Sequence, residues 1–231
     1  MGTSASNLLE ILAPVGLPKC APNEPQRVVL LKLQTSLFAS MAAENNHIME
    51  EIWTRSSLFP NSPYEQVSEK WRSFGFQNNN PISDVRGGGE LSMRCLLRFV
   101  TRTDTRGVLQ TSIKRRELAI KSAAAGPLVK YESYPLSTAL VNMTRFVASV
   151  FCLLTTDGMA GKKTNLSDSS VKGEFFSLLG CEGDFFDVVC DAMLILDSEW
   201  IRQNATYMDF PQIFSGVKEV VEFSLRDQIK I

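Results

Sequence analysis

The chain has 231 residues, 24 Lys+Arg against 25 Asp+Glu, a formal net charge of −1, and hydrophobic and charged fractions of 44% and 21%. These are globular values; they exclude a wholly disordered or collagen-like chain and allow one sizeable core. Near-neutrality also argues against a dedicated nucleic-acid binder, which carries a large basic excess.

In chain order, residues 1–22 read as a flexible tail with a short apolar patch at Leu8, Leu9, Ile11 and Leu12. Met1-Gly2-Thr3-Ser4-Ala5-Ser6 fits the pattern M-G-x-x-x-[ST], which makes Gly2 a lipidation candidate. No basic n-region followed by an apolar core opens the chain, so no secretory signal is expected. Asn23 and Pro25 form a helix-start signal. Leu30, Leu33, Leu37, Met41, Ile48 and Ile52 then recur at helical spacing, which predicts one long helix. Ser62-Pro63-Tyr64-Glu65 has the form of a capping box and predicts a helix carrying Tyr64, Val67, Trp71 and Phe74 on one face, stopped at Gly75.

An amide-rich stretch, Gln77 to Pro81, separates this helix from another starting near Glu90, with Ser83 or Asp84 as its cap. The latter helix has Met93, Leu96, Leu97, Phe99 and Val100 on its apolar side and Arg94, Arg98 and Arg102 on its polar side. Residues 103–133 are weakly periodic, with helix expected in part of 114–125. A core helix runs from Pro135 to about Leu154; Arg145 near its middle argues against a membrane span. A polar linker follows at 156–169, then helical patterns near 170–180, 183–203 and 210–229, the last with Asp209 as N-cap. Period-two alternation is scarce. The expected fold is one all-α domain over residues 23–231, with about seven to nine helices.

Several chemistries fail on residue content. Cys20, Cys95, Cys152, Cys181 and Cys190 form no CxxC pair and His47 is the only histidine, so no metal or cofactor is expected and the thiols read as free in a reducing cytoplasm. Gly158 to Thr164 only superficially resembles a phosphate loop: Lys163 stands where Ser or Thr belongs. No G-x-S-x-G surrounds a serine. A self-contained active site is therefore not expected.

The unusual segment is WRSFGFQNNNPISDVRGGGELSMRCLLRF, Trp71 to Phe99. It places Arg86 before three glycines, beside a helix start. A guanidinium is always charged and offers a fork of donors suited to phosphate. With no phosphate loop in the chain, that arginine is a candidate for donation in trans to another protein's nucleotide. The alternative is local structure, with Asp84 pairing Arg86 and the glycines allowing helix packing.

The segment resembles the signature of the ELMO domain, the module shared by the engulfment-and-motility proteins and the ELMO-domain-containing GTPase-activating proteins. The activating branch reads W-x3-G-F-Q-x3-P-x-[ST]-D-x-R-G-x-G, and Trp71, Gly75, Phe76, Gln77, Pro81, Ser83, Asp84, Arg86, Gly87 and Gly89 match in register. Ser133-Tyr134-Pro135 through Asn142-Met143-Thr144 and Phe185 through Phe210 resemble later family blocks. Departures are mild: Ser83 and Val85 replace the usual Thr and Phe, and Asn80 and Glu90 replace an Asp and an apolar residue.

The resemblance implies activation of GTP hydrolysis by an Arf or Arf-like small GTPase, with Arg86 as the catalytic arginine. Gln77, Trp71, Phe76, Pro81, Asp84, Gly87 and Gly89 are the implied partner-binding or loop-shaping residues. The other implied reading is a non-catalytic ELMO scaffold or effector that binds small GTPases or their regulators. The expected setting is cytoplasmic, peripheral on membranes if Gly2 is acylated. Charge is unevenly spread: residues 94–130 hold nine Lys+Arg and two acids, and residues 182–231 ten acids and four bases. The basic stretch is a candidate surface for steering toward acidic lipid or an acidic GTPase face; alternatively, the two stretches face each other.

Overall fold

A computed structural model describes residues 17–40, 46–56, 59, 62–125, 133–155 and 161–229. Among the described residues the architecture is all-α, with eight α-helices: α1 Glu24–Phe38, α2 Asn46–Arg55, α3 Lys70–Ser73, α4 Gly89–Thr101, α5 Thr105–Ala125, α6 Leu136–Val150, α7 Glu182–Arg202 and α8 Phe210–Ile229. Strand-like pairing among these residues is confined to isolated bridges, Cys20 with Gly173 and Leu154 with Lys163. Gly2 and the apolar patch of the tail lie outside the described residues. The chain is already tied to the fold at Cys20, whose backbone exchanges two 3.0 Å hydrogen bonds with Gly173.

Helix α4 is the hub. It packs against α1, α2, α5, α6 and α7, and Leu91, Met93, Cys95, Leu96, Phe99 and Val100 are all buried. Each large side chain so buried contributes about 1.5–3 kcal/mol of hydrophobic stabilisation. Helix α1 begins as its sequence demands: the Asn23 side chain accepts from Gln26 N–H at 2.9 Å and the Gln26 side chain accepts from Asn23 N–H at 2.9 Å. Gln34, buried on α1, donates to the carbonyls of Leu153 and Thr164, both at 2.8 Å, and so pins the two sides of the segment following α6.

Several helices differ from expectation. The long helix expected through Ile52 is two, because the chain turns extended at Ala39 (φ −68°, ψ 130°) and helix resumes at Asn46. The helix expected from Pro63 shrinks to α3. Indole N–H groups take carbonyls there: Trp71 Nε1 donates to Glu65 O at 2.9 Å and Trp53 Nε1 to Ser62 O at 3.1 Å. Ser68 N–H is drawn to Asn79 O at 2.9 Å, and Val67 is exposed instead of sharing a buried face.

The basic segment forms all of α5, longer than the stretch expected, anchored by buried Thr105, Leu109 and Ile113. Helix α6 ends at Val150, short of Leu154, where Cys152 takes positive φ (57°). Residues 170–180 hold only the 3-10 turn Phe176–Leu178. Asp209 precedes α8, and its carboxylate accepts from the N–H and hydroxyl of Thr206, both at 2.8 Å, closing the box of a preceding 3-10 turn.

The charge split is internal to the fold. Arg98 meets Asp187 through two bonds of 2.8 and 3.0 Å. Arg102 reaches Asp104 at 2.7 Å and Asp191 at 2.5 Å, and Arg115 reaches Asp197 at 2.8 Å. Burial works against the charge of Arg102, but the carboxylates of Asp104 and Asp191 outweigh it and push its guanidinium pKa upward. The arginine stripe of α4 is thus spent on the acids of α7. Among the described residues of 94–130, the exposed cations left for steering include Arg106, Lys114 and Lys121 of α5. Among the described residues, no helix is long and apolar enough to cross a membrane.

Candidate functional site

The site starts where α3 stops. Gly75 stands at φ +91°, its N–H bonds Arg72 O at 3.0 Å, and Phe76 N–H bonds Trp71 O at 3.3 Å, the pairing of a Schellman stop. A Cβ on Gly75 would lie 2.9 Å from the carbonyl carbon of Pro135, so the position requires glycine both for its conformation and for the approach of α6. Ser137 at the start of α6 bonds Phe74 O through its N–H (3.2 Å) and its hydroxyl (2.8 Å). Beneath the loop, Trp71 touches Trp53, Phe74 and Phe76, with ring centroids 5.0, 5.6 and 5.8 Å apart.

From this base the amide-rich loop is braced by Asp84. Its carboxylate accepts from the backbone N–H of Gln77 at 2.5 Å, from Asn78 Nδ2 at 2.9 Å and from the Ser83 hydroxyl at 3.1 Å. Asn80 Oδ1 accepts from Ile82 N–H at 3.1 Å and caps the 3-10 turn Pro81–Ser83. Neither Ser83 nor Asp84 caps α4. Its N-cap is Gly88, which uses no side chain.

A second 3-10 turn, Val85–Gly87, carries the arginine. Val85 is 1% exposed and holds the turn to the core, whereas Arg86 is exposed. Among the described residues no carboxylate pairs with Arg86, and the local pairing with Asp84 is not formed. Gly89 follows at φ +55°; a Cβ there would lie 2.8 Å from the carbonyl oxygens of Ser36 and Ala39, so α4 begins directly against the end of α1.

A cavity of about 550 Å³ opens beside the turn, lined among others by Leu37, Phe38, Asn80, Ile82, Arg86 and Arg145. Among the described residues its lining contains no carboxylate. Arg145, on α6, donates from Nη1 to Gly87 O.

The candidates therefore divide. Arg86 and Gln77 are exposed, and Gly87 and Asp84 are half-buried. Trp71, Phe76, Pro81 and Gly89 are buried, the placement of loop-shaping residues among the two roles the resemblance implies. In the sequence Arg145 serves only as evidence against a membrane span. A single cation inside an apolar helix is the signal that it has something to bind. His47 is exposed on α2, away from this cluster's lining.

Similarity to known proteins follows the same segments. The ELMO/CED-12 family pattern matches residues 28–214. The chain is 28% identical over 207 residues to ELMO domain-containing protein A of Dictyostelium discoideum, covering 87% of this chain and 20% of that protein. It is 29% identical over 176 residues to Ankyrin repeat and ELMO domain-containing protein D of the same organism, covering 75% and 12%. Against that organism's ELMO domain-containing protein C the identity is 22% over 191 residues, covering 82% and 28%. The chain thus spans well under a third of the length of these relatives. No solved structure gives a significant match. With the arginine turn, the Gly75 stop and helices α2 to α7 all inside the matched region, the chain belongs to the ELMO/CED-12 family.

Proposed function

We propose that the chain is a GTPase-activating protein for an Arf or Arf-like small GTPase and that Arg86 is the arginine it supplies in trans. The ELMO domain is linked to small-GTPase regulation. The observation that carries the finer reading is the state of Arg86: exposed, without an ion pair among the described residues, and mounted on a turn whose first residue, Val85, is buried in the core. Asp84, the nearest acid in sequence, is occupied by loop amides. In the act of hydrolysis the guanidinium would stabilise charge gathering on the transferred phosphoryl group; the attacking water, the metal ion and the nucleotide belong to the GTPase. Exposed Gln77 stands on the same loop, placed to touch the partner. The setting is cytoplasmic, at a membrane surface where Gly2 is acylated, which an intact mass from the native cell reads directly.

The test is single-turnover hydrolysis on a panel of GTP-loaded Arf and Arf-like proteins. Stimulation by the intact chain, reduced by Arg86→Ala by about 10³-fold or more, supports the reading. Full stimulation by a folded Arg86→Ala protein sinks it. Binding to the GTPases without any stimulation indicates the scaffold alternative.

A further inference from the structure

We propose that Arg145 is the positioning residue of the arginine turn: by holding the carbonyl of Gly87 it sets the direction in which Arg86 leaves the surface. The activity arm of this proposal rests on the function proposed above; the structural arm does not.

The turn Val85–Gly87 is one 3-10 turn long, closed by a single 3.0 Å bond from Gly88 N–H to Val85 O. So short an element has little rigidity of its own, because its hydrogen-bond geometry is poor and nothing propagates it. Two things hold it. Val85 anchors its start in the core. Its end is held across 58 residues of sequence by Arg145 Nη1, bonded to Gly87 O. The turn also packs on α6. A Cβ on Gly87 would meet Arg145 Cδ at 3.4 Å and Val141 Cγ1 at 3.9 Å, so Gly87 lies over two residues one helical turn apart on α6. The Arg145 stem thus fills the space beneath the turn while its head binds the carbonyl.

Arg86 and Arg145 also line the same cavity. Arg145 is half-buried and bonded to the turn, whereas Arg86 is exposed. The two arginines therefore have different tasks: one is placed to meet a partner and the other aims it. A planar guanidinium suits the second task because its fork of donors fixes orientation, which a point-like ammonium does not. A reacting group displaced by a single ångström loses a large part of its effect, so loosening this hold is expected to lower the stimulated rate more than binding.

The experiment uses the intact chain with Arg145→Met and Arg145→Lys, each alone and combined with Arg86→Ala. Amide hydrogen exchange over residues 85–89 is read first, without any GTPase. Arg145→Met is expected to raise exchange there by about tenfold or more while the rest of the chain stays protected. On a GTP-loaded Arf-family protein that responds to the parent chain, the single-turnover rate is expected to fall roughly tenfold to a hundredfold, with affinity changed by no more than about twofold. Arg145→Lys recovers part of that rate. In the Arg86→Ala background Arg145→Met adds no further loss, because its effect passes through Arg86.

Unchanged exchange over 85–89 overturns the proposal, as does a loss that adds in full on Arg86→Ala. Should Arg145→Met fail to fold, Arg145→Lys, which keeps stem and charge, carries the same readouts. If Arg86→Ala retains full stimulation, the proposed function fails, and the exchange result still decides whether Arg145 holds the turn.

Discussion

Asp84 and Arg86 carry opposite charges two residues apart, yet Asp84 spends its carboxylate on the Gln77 amide, the Asn78 side chain and the Ser83 hydroxyl, and Arg86 is left for solvent. The acid builds the loop that the arginine stands on.

Asp84→Ala should therefore act on the loop. It removes a charged acceptor from several donors and is expected to destabilise the chain by about 1–2 kcal/mol, the lower part of the range for hydrogen bonds to charged groups because the site is only half-buried. Chemical denaturation measures this. GTPase stimulation should fall as well, and a variant with parental stability and loop exchange would show that the brace is dispensable.

Two glycines should respond to alanine with opposite signs. Gly89 stands at φ +55° with carbonyl oxygens where a Cβ would sit, so Gly89→Ala should cost about 2–3 kcal/mol from backbone strain and collision. Gly216 is exposed inside α8, with nothing within 4 Å of a Cβ. There, Gly216→Ala should stabilise by about 0.5–1 kcal/mol. Denaturant midpoints of the two variants compare them directly.

The thiols should sort by environment. Cys20 and Cys181 are exposed, and Cys95 and Cys190 are buried. Burial pushes the Cys190 thiol up to about 12 and raises that of Cys95 as well, so both remain protonated and unreactive in the native state. Cys152, half-buried and also raised chiefly by burial, should react slowly. Alkylation of native protein followed by mass spectrometry should modify Cys20 and Cys181 first, and Cys95 and Cys190 only on unfolding. Rapid native labelling of Cys190 would contradict the packing of α7 on α4.

Stability should decline in alkali through Tyr134. Burial first, then the carboxylate of Asp197, which accepts its hydroxyl at 3.0 Å, raises the phenol above its ordinary value of 10.0. The folded state thus holds the proton more tightly than the unfolded chain. The stabilisation is complete below the unfolded value and is lost as pH rises beyond it, by about 1.4 kcal/mol per pH unit for one proton. Denaturation curves should show this slope from about pH 10 to about 11.5, with pH 9 as the baseline, and Tyr134→Phe should flatten it.

Much of the frame was legible because local chemistry and tertiary packing agree there. The Asn23 start, the Gly75 stop and the apolar face of α4 all follow from side chains a few residues apart. The helix expected from Pro63 failed because Trp53 and Trp71 take backbone carbonyls for their indole N–H groups, a demand set by which rings meet in space. Helix α5 was underestimated for the converse reason: its apolar periodicity is weak, and it is held to the core in part by Arg115, which reaches buried Asp197. At the site, the motif located Arg86 and its glycines, whereas Arg145 lies 58 residues away from Gly87 in the chain and only the fold joins them.

The contact between Gly89 and the end of α1 has an electrostatic consequence. A helix start carries roughly half a positive charge and a helix end roughly half a negative one. With α4 beginning against the carbonyls of Ser36 and Ala39, the two partial charges face and offset each other. The backbone beside the arginine turn is therefore close to neutral, not an anion trap of its own. The positive potential at that surface is carried by side chains, so replacing an arginine there removes its whole share of the attraction, with no helix end in reserve.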